Sequence, residues 1–534
     1  MRLAALFLLL LPTIPAADAP NPRVDAIFSR LTPASPGCAL GVIRDGAFVY
    51  RQGYGSASLE LSVPLTSASV FYMGSVSKQF TAAAVVLAAE QGKLSLDDSI
   101  RRYIPELPDY GPPITLRQML HHTSGLRDVL QLLALSGRNA ADIHPTDELI
   151  DLVSRQRALN YQPGAEYLYS NTNYFLAAEV IKRATGQPLS AFAEANIFRP
   201  LGMTHTRFHD DRTAVVLGRV AAYSPRGSAF SVDWSLNFEK VGDGGLMSSV
   251  DDLLLWDRNF YDNRLGKGTL LKELQTRGTL NNGRNIAYAL GLEIGEYRGL
   301  PIVEHGGSLF GYRTEILRFP EQHFSVVCLC NVSNAGPAAL ARRVAEVYLE
   351  AHMKPVPAPS AAPATTAGSS TAQAAAFAGR YHDPAARRLI VLTARDGALF
   401  YQNGSYRPVA ANRFESGPNA MVFDGPRLTI TQDGTTVFSG SHVADYQPTE
   451  SDLAAYVGAY RSPELDAVYT FRADSGSLAY RVGWNLPIRL VPTVPDEFQG
   501  PGISLAFHRD STGKITGLAI DAGRVREITF HKIN

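Results

Sequence analysis

The segment YMGSVSKQF, residues 72–80, decides the fold, because it places a serine and a lysine three positions apart where a helix begins. The residues that follow it, TAAAVVLAAEQ, are rich in alanine and apolar on nearly every side, which predicts a buried helix over 75–91. Gly92 is the expected end of that helix. Side chains three positions apart on a helix face the same way, so Ser75 and Lys78 should meet.

This serine and lysine suit nucleophilic catalysis. A serine hydroxyl is a weak nucleophile alone and needs a neighbouring base. An amine acts as a base only when neutral, and burial near the positive end of a helix favours the neutral form. The same helix end offers backbone N–H groups to developing negative charge. A second Ser-x-x-Lys, Ser511 to Lys514, lies in a polar turn between strand-like runs, so the helix is what distinguishes the first.

Tyrosine and asparagine residues in PGAEYLYSNTNYF, Tyr169 and Asn171, form a second candidate motif. A nearby ammonium would favour proton shuttling by the phenol, whose unperturbed pKa is about 10. The Asn171 amide can hold a substrate amide, since it both donates and accepts hydrogen bonds. The alternative is a loop tyrosine with an asparagine that caps a helix, and Tyr-x-Asn also occurs at 261–263 and 401–403.

The third candidate is VEHGGSLFGYR, residues 303–313, with His305, Gly306, Gly307 and Ser308. Two glycines within a strand indicate close approach of a ligand or of another backbone. Such a strand can present its Ser308 N–H opposite the N–H of the nucleophile as an oxyanion hole. A glycine bulge beside a hairpin is the structural alternative.

These three segments, in this order and context, resemble the penicillin-recognising serine hydrolases, which include class C β-lactamases, D,D-peptidases, related esterases and D-aminopeptidases. Other segments are similar to the same group: LHHTSGLRD at 120–128, PLGMTHT at 200–206 and GDGGLMSSVDDL at 242–253. The resemblance covers about residues 24–350. It implies an α+β catalytic domain in which helices flank a five-stranded antiparallel sheet, with a helical subdomain and the site between them.

For the site, the resemblance implies acyl transfer in two steps. Ser75 would attack a carbonyl while Lys78 and Tyr169 move the proton, and water would release the acyl group. The other motif residues would bind substrate: Asn171, His305, Gly306, Gly307 and Ser308. No metal or organic cofactor is expected. Whether Lys78 or Tyr169 is the base in acylation stays open at this point.

The C-terminal part of the chain has a different composition. Residues 354–375 are rich in proline, alanine, serine and threonine, which predicts an extended linker between a hydrolase domain at 20–353 and the remainder. The remainder repeats itself at an offset of 79 residues: AAFAGRYHDP begins at Ala375, and AAYVGAYRSP begins at Ala454. We expect two small antiparallel β-barrels, at 376–448 and 449–534, because closure removes exposed strand edges. This layout resembles that of bacterial D-aminopeptidases.

The N-terminal sequence MRLAALFLLLLPTIPAADAP combines one positive charge, a short apolar run and small residues, which predicts a signal peptide at 1–19. An ordinary buried helix is the alternative. We therefore expect a periplasmic or secreted protein without a stable membrane span. Cys328 and Cys330 are expected as buried thiols on one strand, and a bridge from Cys38 is possible in an oxidising compartment.

The balance of charge argues against one class of partner. Lys plus Arg and Asp plus Glu each number 50, and a balanced net charge argues against a nucleic-acid binder. The partner should be a small molecule or a short peptide, and the oligomeric state is left open. In β-lactamases and D,D-peptidases of the group, a lysine usually stands where this chain has His305. A histidine, with an unperturbed pKa near 6.5, attracts a substrate carboxylate less.

The expected function is thus a serine hydrolase for amides or esters, similar to the D-aminopeptidases. Alternatives within the group are a class C β-lactamase, a D,D-carboxypeptidase and a carboxylesterase. An alternative of another class is a binder of peptidoglycan fragments without turnover.

Overall fold

The structure is a computed structural model that describes residues 20–139, 142–233, 239–355, 367–402, 404–432 and 434–533. Within these ranges the chain forms two compact units. The first contains the residues up to 126, 140–154 and 161–355, and the second contains 127–139, 155–160 and the residues from 356 onward. The expected signal peptide, 1–19, lies outside the described residues, as does the middle of the expected linker, 356–366.

Six antiparallel strands form the central sheet of the first unit, one more than the resemblance implied. They are β1 (Cys38–Arg44), β2 (Ala47–Tyr54), β3 (Glu293–Tyr297), β4 (Leu300–Leu309), β5 (Tyr312–Phe319) and β6 (Phe324–Cys330). Their order across the sheet is β3-β4-β5-β6-β1-β2. A segment near the N-terminus and one from the middle of the chain therefore meet in one sheet, because β6 pairs with β1.

The described residues of the first unit also contain ten α-helices. Four of them are used below: α1 (Ser77–Glu90), α2 (Asn171–Thr185), α3 (Val250–Asp262) and α4 (Pro337–Leu349). The others are Pro22–Asp25, Leu116–Leu120, Thr146–Ser154, Leu189–Ala193, Arg199–Leu201 and Leu270–Gln275. A 3-10 turn, Gly74–Val76, leads into α1, and Gly92 follows it with a left-handed φ of 71°, in agreement with the predicted helix.

The two faces of the sheet are covered by different helices. Leu40 and Val42 of β1 are fully buried in a cluster that includes Val344 of α4. Gly41, between them, points to the other face, where an added Cβ would lie 2.5 Å from Val250 of α3. This alternation follows from the two-residue period of a strand.

Short strands connect the sheet region to the helices. Phe71–Tyr72 pairs with Leu246–Ser248, which also pairs with Arg207–Phe208. Two further pairs join Ser56–Ser58 to Val63–Pro64 and Tyr223–Arg226 to Ala229–Val232. The first of these sheets ends two residues before Gly74, and so fixes where the turn before α1 starts.

The cysteines differ from the expectation of buried thiols at both 328 and 330. Cys38 and Cys330 lie directly opposite each other on β1 and β6 and form a disulfide. Cys328, one alternate position along β6, stays a buried thiol, and burial raises its pKa. The strand pairing decides the outcome, because it places Cys330, and not Cys328, directly opposite Cys38.

Two closed eight-stranded antiparallel barrels lie in the second unit, as the repeat predicted. The first barrel contains Gly379–Asp383, Arg388–Arg395, Ala398–Tyr401, Gly404–Ala410, Arg413–Ser416, Asn419–Asp424, Arg427–Gln432 and Thr435–Val443. The second contains Gly458–Ser462, Ala467–Asp474, Ser477–Val482, Ile488–Val494, Glu497–Gly500, Ile503–Arg509, Ile515–Ala522 and Val525–Ile533. A helix, Glu450–Tyr456, precedes the second barrel.

The repeated tyrosines have the same role in each barrel. Tyr381 is buried and its hydroxyl donates to the Phe377 carbonyl at 3.0 Å. Tyr460, 79 positions later, donates to the Tyr456 carbonyl at 2.9 Å. In each case the bond ties the first strand to the helix before it.

A helix covers Ala367–Phe377, so the expectation of an extended linker up to residue 375 is wrong for this part. Alanine, which is frequent in this segment, has the highest helix propensity. The C-terminal end of the helix packs against the first barrel. Ala374 is buried in the core of the first barrel, and the Phe377 ring stacks on Phe423 with centroids 4.3 Å apart.

The second unit also includes two segments that precede the barrels in sequence, 127–139 and 155–160. Arg127 forms a fully buried ion pair with Glu464 of the second barrel, with Nη1 and Oε1 2.8 Å apart. The same carboxylate oxygen accepts from the Arg157 N–H at 2.7 Å. The unit is therefore not built from a continuous C-terminal stretch. None of the helices described is both long and apolar enough to cross a bilayer.

Candidate active site

The structure brings the serine and the lysine of the first motif together. Lys78 Nζ lies 3.1 Å from Ser75 Oγ. Lys78 is completely buried, whereas Ser75 is half-buried and reachable from solvent. The nitrogen also donates to Asn171 Oδ1 at 3.0 Å and to the Asp243 carbonyl at 2.7 Å. These contacts fix the amine beside the hydroxyl that it would have to deprotonate.

Glycines let β4 lie directly against the turn that carries Ser75. Gly74 has a φ of 52°, and a Cβ there would lie 2.7 Å from Ser308 N. A Cβ on Gly307 would lie 2.0 Å from the Met73 carbonyl oxygen. Only glycine avoids these clashes. As a result, the Ser308 N–H is held next to the nucleophile, which is where an oxyanion hole requires a donor.

Tyr169 lies over the lysine. Lys78 Nζ is 4.8 Å from the centroid of the Tyr169 ring and 5.7 Å from that of Tyr174 on α2. A cation in this position is stabilised by both ring faces. Asn171 is the first residue of α2. Its side-chain carbonyl oxygen accepts a hydrogen bond from Lys78, so this oxygen positions the lysine.

Sequence reasoning missed His122 as part of the site. Its ring packs on Tyr169 with centroids 4.2 Å apart. Its Nδ1 accepts from the Ser170 N–H at 3.2 Å and lies 3.1 Å from Asn173 Nδ2. The signal in the sequence is the LHHTSGLRD segment, which is similar to the group but does not by itself indicate the role of His122. His122 holds the loop that carries Tyr169.

A buried ion pair supports the opposite side of the lysine. Lys240 and Asp243, both nearly inaccessible, bond through the ammonium and both carboxylate oxygens. Thr81 of α1 donates to the Gly242 carbonyl at 2.7 Å. Together these bonds set the Asp243 carbonyl that accepts from Lys78. The GDGGLMSSVDDL segment thus acts through its backbone.

His305, which the sequence suggested as a substrate-binding residue, is buried and bonded to other groups of the protein. Its side chain is 4% exposed, and both ring nitrogens have partners in the protein. Nδ1 lies 2.7 Å from the Gly306 carbonyl oxygen, and Nε2 lies 2.9 Å from the Tyr288 hydroxyl. Burial, and to a lesser extent the charge of Lys78, lowers the pKa of His305 to about 4. The imidazole is therefore neutral near pH 7 and has no N–H directed to a substrate.

Two of the other three β4 residues that are expected to bind substrate lie where a ligand can reach them. Gly306 and Ser308 are exposed, while Gly307 is buried against Met73. The strand can therefore offer backbone groups to a substrate that enters beside Ser75. The His305 side chain, in contrast, supports the strand from within the protein.

Comparison with known proteins agrees with this architecture. The model of the Beta-lactamase family matches residues 24–350. A D-aminopeptidase of Gluconobacter oxydans is 26% identical over 543 residues, with 97% of this chain and all of the relative covered. A D-aminopeptidase of Brucella anthropi is 26% identical, with 93% of this chain and 95% of the relative covered.

Solved structures share the fold. A penicillin-binding protein homologue from Pyrococcus abyssi, described as octameric, has a TM-score of 0.57 at 19% identity and covers 86% of this chain and 97% of its own. D-amino acid amidase from Ochrobactrum anthropi SV3 has a TM-score of 0.52 at 23% identity, with 62% of this chain and 99% of its own covered. With a family model that spans more than half of the sequence, this chain belongs to the Beta-lactamase family of serine hydrolases.

Proposed function

We propose that this protein hydrolyses an amide or ester bond whose acyl part is a D-amino acid, with Ser75 as the nucleophile. The observation that carries the proposal is the 3.1 Å contact between Lys78 Nζ and Ser75 Oγ at the start of a buried helix. A nucleophile beside a fixed base, with backbone N–H groups opposite, is the arrangement that acyl transfer requires.

In the proposed reaction, Ser75 Oγ attacks the substrate carbonyl carbon and its proton passes to Lys78 or Tyr169. The short contact favours Lys78 as the first acceptor, provided that the amine is neutral at that moment. The carbonyl oxygen becomes an oxyanion that accepts from the backbone N–H groups of Ser75 and Ser308. The C–N or C–O bond then breaks, and the leaving amine or alcohol takes the proton. Water attacks the acyl ester in the same way and restores the hydroxyl.

The substrate class is inferred from two observations. Relatives that cover nearly all of this chain are D-aminopeptidases, and the catalytic fold is shared with a D-amino acid amidase. His305, neutral and bonded on both nitrogens, offers no charge to a carboxylate on the leaving side. This argues for D-amino acid amides, short peptides with an N-terminal D-residue, or esters. It argues against penicillins and peptides with a free C-terminal carboxylate next to the scissile bond.

Export from the cytoplasm is also part of the proposal. Its support is the signal-like composition of residues 1–19 and the disulfide between Cys38 and Cys330. Disulfides persist in the periplasm and outside the cell, and are rare in reducing compartments. Expression with the native N-terminus, followed by fractionation and intact-mass measurement, tests for a periplasmic or secreted product that lacks about the first 19 residues.

Replacement of the nucleophile tests the reaction. Ser75→Ala should abolish hydrolysis of D-alanine p-nitroanilide and of p-nitrophenyl acetate, and should abolish covalent labelling by a fluorophosphonate. Ser511→Ala changes the other Ser-x-x-Lys and should leave both intact. Near-normal turnover by the Ser75→Ala protein would refute the mechanism. Labelling of the wild type at Ser75 without turnover of any amide, ester or β-lactam would instead support a binder.

A further inference from the structure

The hydrogen bonds of His305 determine which ring nitrogen carries the proton. A carbonyl oxygen can only accept, so the 2.7 Å contact with Gly306 requires a proton on Nδ1. A neutral imidazole has one N–H, so Nε2 is an acceptor. The Tyr288 hydroxyl, 2.9 Å away, must therefore donate to Nε2.

Tyr288 keeps its hydroxyl proton and therefore remains a hydrogen-bond donor. It is 1% exposed, and burial raises its pKa well above the usual value, so the phenol keeps its proton throughout the neutral range. Its ring is fixed by other aromatic rings, with centroid distances of 4.7 Å to His122 and 6.0 Å to Tyr169. The hydroxyl is thus held at one place, and that place faces His305.

The Gly306 carbonyl is the other end of this chain of bonds. Gly306 has no side chain to fix its position, and on the opposite side a Cβ would lie 2.9 Å from Glu315 Oε2. The next two residues along β4 are Gly307, which touches Met73, and Ser308, whose N–H lies beside Gly74. A rotation of the peptide after Gly306 would displace both of these groups.

We propose that Tyr288 is a positioning residue: its hydroxyl locks His305 in the Nδ1–H form, and His305 in turn holds the Gly306 carbonyl so that β4 presents the Ser308 N–H to the acyl oxygen. This inference deepens the proposed function and rests on it for the reaction affected. It assigns His305 to the support of the strand rather than to contact with the substrate. The lock itself is a property of the resting protein and can be measured without any turnover.

Nuclear magnetic resonance of protein labelled with ¹⁵N-histidine shows at pH 7 which ring nitrogen of His305 carries the proton. The His305 signals are assigned by their loss in His305→Asn. The wild type should show a protonated Nδ1 and an unprotonated Nε2. Tyr288→Phe removes only the donor to Nε2 and leaves the Gly306 carbonyl beside Nδ1. The preference for Nδ1–H should therefore weaken, and a fraction of the proton should appear on Nε2 by exchange between the two nitrogens. Tyr103→Phe, which removes a distant hydroxyl bonded to Asp98, should leave the His305 signals unchanged.

Kinetics then test whether the lock matters for the reaction. Tyr288→Phe should lower kcat for D-alanine p-nitroanilide by about 10- to 100-fold, as expected for a small misplacement of a catalytic group, with KM within about threefold. His305→Asn keeps an amide nitrogen where Nδ1 stands, whereas His305→Gln moves it to the Nε2 position, so the asparagine variant should retain more activity. In the His305→Asn background, Tyr288→Phe should have little further effect, because Tyr288 acts through His305.

The outcomes separate the two claims. A wild type with the proton on Nε2 would overturn the lock. Three results would overturn the positioning role of Tyr288. They are a tautomer change without loss of kcat, a loss of kcat without a tautomer change, and additive effects of Tyr288→Phe and His305→Asn on kcat. If the wild type hydrolyses no substrate, the proposed function fails, and the nitrogen signals still decide whether Tyr288 fixes His305.

Discussion

Thr314 of β5 donates a hydrogen bond of 2.8 Å to the carbonyl of Met73, two residues before Ser75. This bond joins the central sheet to the turn that carries the nucleophile. It lies on the same carbonyl oxygen that Gly307 approaches. The alignment of Ser75 therefore depends on a residue that no catalytic motif contains.

Thr314→Val tests this connection, because valine keeps the shape and removes the donor. We expect the free energy of unfolding to fall by about 1 kcal/mol, the net worth of a buried hydrogen bond, and kcat to fall as the turn loosens. Urea denaturation and hydrolysis of D-alanine p-nitroanilide measure both. Thr516→Val removes an exposed hydroxyl bond in the second barrel and should change stability by less than about 0.5 kcal/mol. Equal stability and kcat in Thr314→Val and wild type would show that the bond is dispensable.

Gly307→Ala should separate β4 from the turn. Its Cβ would lie 2.0 Å from the Met73 carbonyl oxygen, so one backbone must shift. We expect kcat/KM to fall by about 100-fold or more. Gly295→Ala on β3 is the matched change, since its Cβ would meet Ile302 at an ordinary 3.6 Å, and activity should persist. Unimpaired Gly307→Ala would mean that Ser308 need not lie so close to Ser75.

His305 should make the protein less stable in mild acid. Its folded pKa, about 4, lies below the unfolded value of about 6.5, so between these values the unfolded chain takes up a proton that the folded protein does not. Stability is therefore lost as the pH falls through this window, by about 2 kcal/mol between pH 7 and pH 4.5. His305→Asn should lack this part of the loss in urea denaturation at the two pH values. Glu315, whose pKa burial raises, has the opposite sign, but it is present in both proteins and cancels. Identical pH dependence in both proteins would show that folding does not lower the pKa of His305.

The pair of Arg127 and Glu464 should be important for the barrel unit. Their side chains are 1% and 3% exposed, so Glu464→Gln would leave a buried, uncompensated guanidinium. We expect a loss of about 3–5 kcal/mol in the free energy of unfolding. Asp474→Asn, which removes the exposed partner of Arg489, should cost less than about 1 kcal/mol. Similar small effects of both substitutions would indicate that the buried pair is easily replaced by water or neighbouring groups.

Local patterns made much of the fold predictable. The spacing of Ser75 and Lys78, followed by an alanine-rich run, identified α1 because a helix is specified by neighbours three and four residues apart. The repeat at 79 residues identified both barrels, since each copy carries the same tyrosine that ties its first strand to the preceding helix. The order of the three site segments along the chain then indicated the family.

Contacts between distant segments could not be predicted in this way. Tyr288 lies in a stretch without any motif, and only the fold places its hydroxyl at His305. The pairing of β1 with β6 places Cys330, and not Cys328, opposite Cys38. The spacing of two cysteines on one strand does not predict which of them faces a third cysteine. His122 belongs to LHHTSGLRD, but its contact with Tyr169, about 50 residues further along the chain, has no signature in sequence.

The bond between Cys38 and Cys330 also has a mechanical consequence. It joins positions 292 residues apart, and Ser75, Tyr169 and His305 all lie between them. Tension applied to the two ends of the chain passes through the two sulfur atoms and bypasses everything between them. Pulling can extend the barrels, which lie outside the bond, yet it cannot draw out the catalytic segments until the disulfide is reduced.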